Sequence, residues 1–109
     1  MSVMRGDGSE WRTLPTPGVA IKVLRRDTTT GAATFLLRFD AGARFPLHDH
    51  PGGEEVFVME GDLRVGGDRL QSGDYLYTPP NHQHAVSSEG GCILFVSTPL
   101  PVRIVESRG

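Results

Sequence analysis

Residues 48–55 read HDHPGGEE, which places two imidazoles and two adjacent carboxylates within a single short stretch. Imidazoles two positions apart leave the same face of an extended chain, so His48 and His50 form a two-pronged donor. Pro51-Gly52-Gly53 then bends the chain sharply, glycine supplying unusual backbone angles, and returns Glu54 or Glu55 toward the same point. A third imidazole comes from His82-Gln83-His84, which follows Pro79-Pro80-Asn81, another rigid turn. Any one of these histidines would by default be a surface-loop residue. All four histidines of the chain, however, fall into two HxH pairs beside proline-bearing turns, and that pattern reads as a metal site. Three neutral imidazoles and a carboxylate are a mixed nitrogen and oxygen set. Such a set suits one divalent ion of Fe, Zn, Mn, Ni, Co or Cu and suits Ca or Mg poorly. His82 shares the strand parity of His84 and is read as a loop residue or a group behind the ligands, a fifth donor being the third option.

Short strands must position these groups. The 14 glycines and 8 prolines are scattered at close intervals instead of pooled in a linker, so they cut the chain into brief segments. Between them lie runs rich in β-branched and aromatic residues: Val19–Leu24, Thr34–Phe39, Val56–Met59, Leu63–Val65, Tyr75–Thr78, Cys92–Ser97 and Val102–Val105. In Thr34–Phe39, Phe35, Leu37 and Phe39 share one face and Arg38 takes the other, as in a half-buried strand. Gly66-Gly67, between Leu63–Val65 and Arg69-Leu70, has the composition of a tight hairpin turn. No stretch of useful length shows helical periodicity. The expected fold is therefore all-β, an antiparallel sandwich or closed barrel.

At 109 residues the chain suffices for a single core, so residues 1–109 are read as one domain. Eleven basic against thirteen acidic side chains give a net charge of −2, with no basic run, which argues against a nucleic-acid partner. The start lacks the apolar segment of a secretory signal and no stretch is apolar enough for a membrane span; the expected location is cytoplasmic. Cys92, the sole cysteine, lies beside Ile93, Leu94 and Phe95 and reads as a buried thiol.

At these residues the chain resembles the cupins. Their first motif, G(X)5HXH(X)3,4E(X)6G, is matched by Gly42, His48, His50, Glu54 and Gly61, and their second, G(X)5PXG(X)2H(X)3N, by Gly73, Pro79 and His84. Asn81 stands where the second motif has glycine and Ser88 where it has asparagine, departures that touch turn geometry and not the ligands. The resemblance, spanning residues 42–61 and 73–88, implies a small jelly-roll barrel with His48, His50, Glu54 and His84 as metal ligands. The segment is closer still to the cupin domain of ChrR-type anti-sigma factors, which has the same HxHPGGEE form, a Pro-Pro turn and a later histidine. In that subfamily the cupin binds zinc and follows a helical zinc-binding domain that holds the sigma factor. No HxxxCxxC is present here, so sigma-factor binding is not carried over.

The resemblance implies two functions of different kinds. One is a mononuclear metal-dependent dioxygenase acting on a small apolar or aromatic ketone or diketone. The other is a zinc-bearing sensor or small-ligand module. No catalytic residue is assigned; Arg38, Arg44, Tyr75, Tyr77 and His82 are the candidate polar groups for a pocket otherwise expected to be small and apolar. Phe35, Phe45, Phe57, Met59 and Phe95 are each expected in the core more than in a substrate wall. Adjacent acids in a strand point to opposite faces, so only one of Glu54 and Glu55 can be a ligand. The six residues before Gly61 select Glu54, and this parity puts Val56 and Val58 inside and Glu55, Phe57 and Met59 outside, where a neighbouring strand or second subunit would have to cover the last two. A homodimer is expected, with the strand near Trp11–Leu14 or the run Leu100–Val105 as an edge for pairing.

Overall fold

Alternating apolar and polar residues dictate strands, and in the computed structural model, which describes residues 1–104 and side chains to Val102, no helix forms among the described residues. Among the described residues ten strands follow one another: β1 (Arg12–Thr13), β2 (Val19–Arg26), β3 (Ala33–Phe39), β4 (Arg44–Asp49), β5 (Glu54–Val65), β6 (Asp68–Gln71), β7 (Tyr75–Thr78), β8 (Gln83–Ser87), β9 (Cys92–Thr98) and β10 (Arg103–Ile104). Every pairing is antiparallel. The sheet runs β1-β2-β3-β9-β5-β8-β4-β10, with β6 and β7 also on β5, and it curls into a barrel of two facing halves. β5 belongs to both halves: Glu55–Gly61 pairs with β9, and Arg64-Val65 with β8.

The sequence pattern suggests separate strands at Val56–Met59 and Leu63–Val65, but they are parts of one. A bulge between Val58 and Glu60 and a left-handed Gly61, with φ of 82°, let β5 bend from one half to the other without ending. A Cβ on Gly61 would collide with the carbonyl oxygen of Gly91, so only glycine fits this crossing. The strand at Arg44–Asp49 is missed by the propensity pattern, because Pro46 and the histidines interrupt it. The chain accommodates Pro46 at a register shift between Phe45 and His48, where no ladder donor is needed. The Gly66-Gly67 turn joins β5 to β6 with Val65 opposite Asp68. Of the run Val102–Val105, Arg103 and Ile104 pair with β4, and Val105 lies outside the described residues.

The core fills the space between the halves. Val19, Phe39, Val56, Val58, Leu63, Val86, Leu94 and Val96 are buried, with Phe35, Leu37, Phe45, Val65, Leu70 and Leu76 packed against them. Cys92 is buried among them, and burial pushes its thiol up to about 11, which keeps it protonated. Phe57, Met59 and Phe95 do not join this core; they are 44%, 44% and 39% exposed on the outer face. Strand parity overrides their size: Val56 and Val58 on β5, and Leu94 and Val96 on β9, occupy the inward positions.

Candidate metal centre

Three loops and strand ends at one mouth of the barrel build the site. His48 lies directly opposite His84 in the β4–β8 ladder, so their side chains leave the same face as neighbours. His50 lies just past β4, and its carbonyl oxygen accepts from both Gly53 N (3.0 Å) and Asn81 N (2.8 Å). One backbone oxygen thereby ties the His-Pro-Gly-Gly turn to the Pro-Pro-Asn turn. Asn81 has a φ of 67°, a left-handed conformation that asparagine tolerates better than most residues, which explains how it replaces the glycine expected there. Ser88, in place of asparagine, is buried and donates through Oγ to the Asp62 carbonyl oxygen at 2.7 Å. Both departures from the motif thus fall in backbone turns and remove no donor side chain from the cluster.

The side chains converge. One donor atom from each of His48, His50, Glu54 and His84 lies within 4.8 Å of all the others, a cluster that could bind a metal ion. The imidazole centroids are 4.4 to 4.6 Å apart and the rings meet edge to face, as rings aimed at a common point must. His48 donates from Nδ1 to the Pro46 carbonyl oxygen at 2.8 Å, and His50 from Nδ1 to the His82 carbonyl oxygen at 3.0 Å. A carbonyl can only accept, so each ring carries its proton on Nδ1 and leaves Nε2 with a lone pair. The Nε2 of His50 is buried, 3.2 Å from Glu54 Oε1, and makes no hydrogen bond with the described residues. An orphaned buried nitrogen among two further imidazoles and a carboxylate fits a metal ion.

Electrostatics separates the three rings. Burial lowers His84 to about 4, with the neighbouring His48 and His50 adding to the effect. Burial also lowers His48 against the opposing pull of the Pro46 carbonyl. For His50 burial acts downward too, yet the Glu54 carboxylate, the His82 carbonyl and Asp49 together outweigh it and raise the ring. Two rings are therefore held neutral, as ligands must be, and one is held beside its counter-charge.

Glu54 is buried at 8% exposure and faces the cluster. Glu55 is exposed on the outer face, where Tyr75 OH donates to its Oε1 at 2.6 Å. The parity expected from the sequence is the observed one. His82 contributes its backbone carbonyl to His50, while its side chain is exposed. Asp49, between the two histidines, is buried and raises His50; sequence reasoning passed over it because alternation assigns it to the outer face.

The cluster opens onto a cavity of about 120 Å³ lined by Phe35, Leu37, Phe39, Phe45, Leu63 and Leu94 among others, with His48, Glu54 and His84 as its polar wall. The expectation of a small apolar pocket holds. Arg38, Arg44, Tyr75, Tyr77 and His82 do not line it. Arg38 stacks on Trp11 at 4.6 Å and Arg44 is exposed at the start of β4, so neither supplies a clamp.

Residues 1–100 match the ChrR cupin-like domain family. The chain belongs to that family. Over 95 residues this cupin is 32% identical to the anti-sigma-E factor ChrR of Cereibacter sphaeroides, covering 85% of the chain and 43% of ChrR. Over 87 residues it is 33% identical to the DNA damage-repair/toleration protein DRT102 of Arabidopsis thaliana, covering 74% of the chain and 27% of the relative. The cupin thus spans less than half the length of either curated relative. Among solved structures, a protein assigned as an acetylacetone dioxygenase from Methylibium petroleiphilum superposes with a TM-score of 0.89 at 25% identity, over 100% of this chain and 83% of that one.

Proposed function

We propose that this cupin holds one divalent transition-metal ion through His48, His50, His84 and Glu54 and acts as a mononuclear dioxygenase on a small apolar ketone or diketone. One observation carries the reading: among the described residues, His48, Glu54 and His84 of the convergent donor cluster are the only polar groups on the wall of an otherwise apolar cavity. A redox-active ion with this donor set would supply open positions for oxygen ligands and electrons for dioxygen chemistry. The chain's own residues do the rest. Phe35, Phe45, Leu37 and Leu94 embrace an apolar body and keep water out, while the Pro46 and His82 carbonyls hold two rings in one tautomer. Glu54 is the only carboxylate that the described residues put on the cavity wall, so a proton taken from a ligand there would pass to the Glu54 carboxylate. The similarity to the assigned acetylacetone dioxygenase supports this reading.

A zinc-bearing sensor module is the second reading, favoured by the similarity to ChrR and by a cavity that offers no acid or base beyond the cluster. Protein purified without added metal distinguishes the two. Bound iron, with oxygen uptake on addition of acetylacetone, is the expected result. Stoichiometric zinc with no uptake in the iron-reconstituted protein overturns the enzyme reading and supports the sensor.

The homodimer expected from the sequence also belongs to the proposal, at a different surface. Tyr75, Phe57 and Phe95 line up across β7, β5 and β9, with Met59 beside them, and make an exposed apolar patch on the outer face. The one carboxylate within it, Glu55, is already hydrogen-bonded to Tyr75, which lowers the cost of covering it. Phe57→Arg should convert the dimer to monomer with unchanged metal content. A wild-type sedimentation mass of one chain at micromolar concentration would contradict the proposal.

A further inference from the structure

The inner cavity has a neighbour. A larger hollow of about 560 Å³ opens to solvent between the β2–β3 turn and the segment Pro99–Val102, lined by Arg26, Asp27, Thr28, Ala33, Thr98 and Pro101 among others. Three residues, Ile21, Phe35 and Val102, line both spaces. Two other surface hollows touch the cavity wall through one residue each, Leu14 or Val56. The remaining cavity wall is largely hydrogen-bonded strand.

The larger hollow lies at the metal end of the barrel. Ser97 pairs with Glu55, which puts Thr98 level with Glu54. After Thr98 the chain crosses the mouth as a strap and joins β10, whose Ile104 pairs with His48. Two glycines seat the strap: a Cβ on Gly31 would come within 2.9 Å of Pro101, and one on Gly52 within 2.9 Å of Pro99. Pro99 and Pro101, each with a fixed φ, stiffen the crossing between those seats. Val102 leaves the strap at its inner end and is the strap's contribution to the cavity wall.

We infer that ligands reach the metal-facing cavity through this outer hollow, and that Val102, with Ile21 and Phe35, forms the threshold that sets how wide a ligand can enter. Val102 is then a specificity-determining residue. The inference rests on the same pocket as the proposed function but does not need the metal. An apolar cavity of about 150 Å³ holds benzene, and the space here is about 120 Å³. Benzene therefore sits at the size limit, and a single added methyl group tests the threshold.

The experiment titrates the metal-free protein with benzene and with toluene and follows exchange by NMR. Val102→Ala should admit toluene and should exchange benzene about tenfold faster than the unaltered protein does, since a narrow passage limits the on-rate. Val86→Ala enlarges the same cavity from a wall the outer hollow does not touch, so it should tighten binding without speeding exchange. Val102→Phe should abolish exchange on the same timescale. Should Val102→Phe fail to fold, the comparison of the two alanine variants still decides. Equal exchange rates in Val102→Ala and Val86→Ala, or no binding of either probe in the unaltered protein and in Val102→Ala, would overturn the inference. Toluene binding that appears only in Val102→Ala supports it.

Discussion

Glu54→Gln loses about 100-fold or more in affinity for Zn²⁺ or Co²⁺, while Glu55→Gln takes up metal as the unaltered protein does. The two acids are neighbours in sequence and differ only in the face they take. Glu54 is buried beside His50, its Oε1 3.2 Å from Nε2, and is the only anionic member of the cluster. Glutamine preserves the shape and one carbonyl oxygen, so the variant removes charge and leaves the packing. Even the loss of a group behind a metal ligand costs about 10- to 100-fold, and the direct loss of the single anion facing a dication belongs at or beyond the upper end. Glu55 lies on the outer face with Tyr75 OH on its carboxylate, out of reach of the cluster. A second readout separates electrostatics from misfolding: the Glu54 carboxylate is the largest influence raising His50, so the His50 ring should titrate lower in metal-free Glu54→Gln. Parallel metal titrations check the pair, and equal losses, or the greater loss in Glu55→Gln, would sink the assignment.

What could be read from the sequence follows the physics of each element. The HxH spacing, the Pro-Gly-Gly bend and the parity of Glu54 are local features, and the structure has His48, His50 and Glu54 on one side as alternation and the bend suggest; His84 joins them through the β4–β8 pairing. The Thr34–Phe39 strand and the Gly66-Gly67 hairpin are equally local, and both are present. What escaped is set by tertiary context. Nothing local shows that Gly61 lies against Gly91, and without that contact a glycine after Glu60 reads as the end of a strand. Phe57, Met59 and Phe95 look like core by size, but register alone decides their face. His82 attracts attention as a possible donor by type, whereas its contribution to the cluster is a backbone carbonyl, which every residue has and no sequence motif can mark.

Acidification should weaken metal binding with a slope near one proton at about pH 6, not three, and should destabilise the metal-free fold as pH falls from about 6.5 to about 4. Three unperturbed imidazoles would each bind a proton below their usual value of about 6.5, and expelling three would make log affinity fall about three units per pH unit. The cluster is not built that way. His50 is raised and takes the first proton, while His48 is lowered and His84 is lowered to about 4, so these two take theirs later and His84 stays neutral until the pH nears 4. For stability the signs differ between rings. His84, lowered in the folded state, binds fewer protons folded than unfolded between about 4 and 6.5, so its contribution is fully present above 6.5 and is lost as pH drops toward 4. That loss is at most about 3 kcal/mol for His84, whose side chain is 14% exposed, with His48 adding in the same direction. His50 has the opposite sign: its stabilisation is present below 6.5 and is lost as pH rises through its raised value. His50 therefore acts at the alkaline end of the range, and the loss on the acid side, between about 6 and 4, is that of His84 with His48 in the same direction. Urea midpoints of the metal-free protein at pH 7.5, 6 and 4.5, set beside metal titrations at pH 7 and 6, measure both. A midpoint that does not fall between pH 6 and 4.5, or a three-proton slope near pH 6, would mean that the rings are solvated and independent instead of packed around one point.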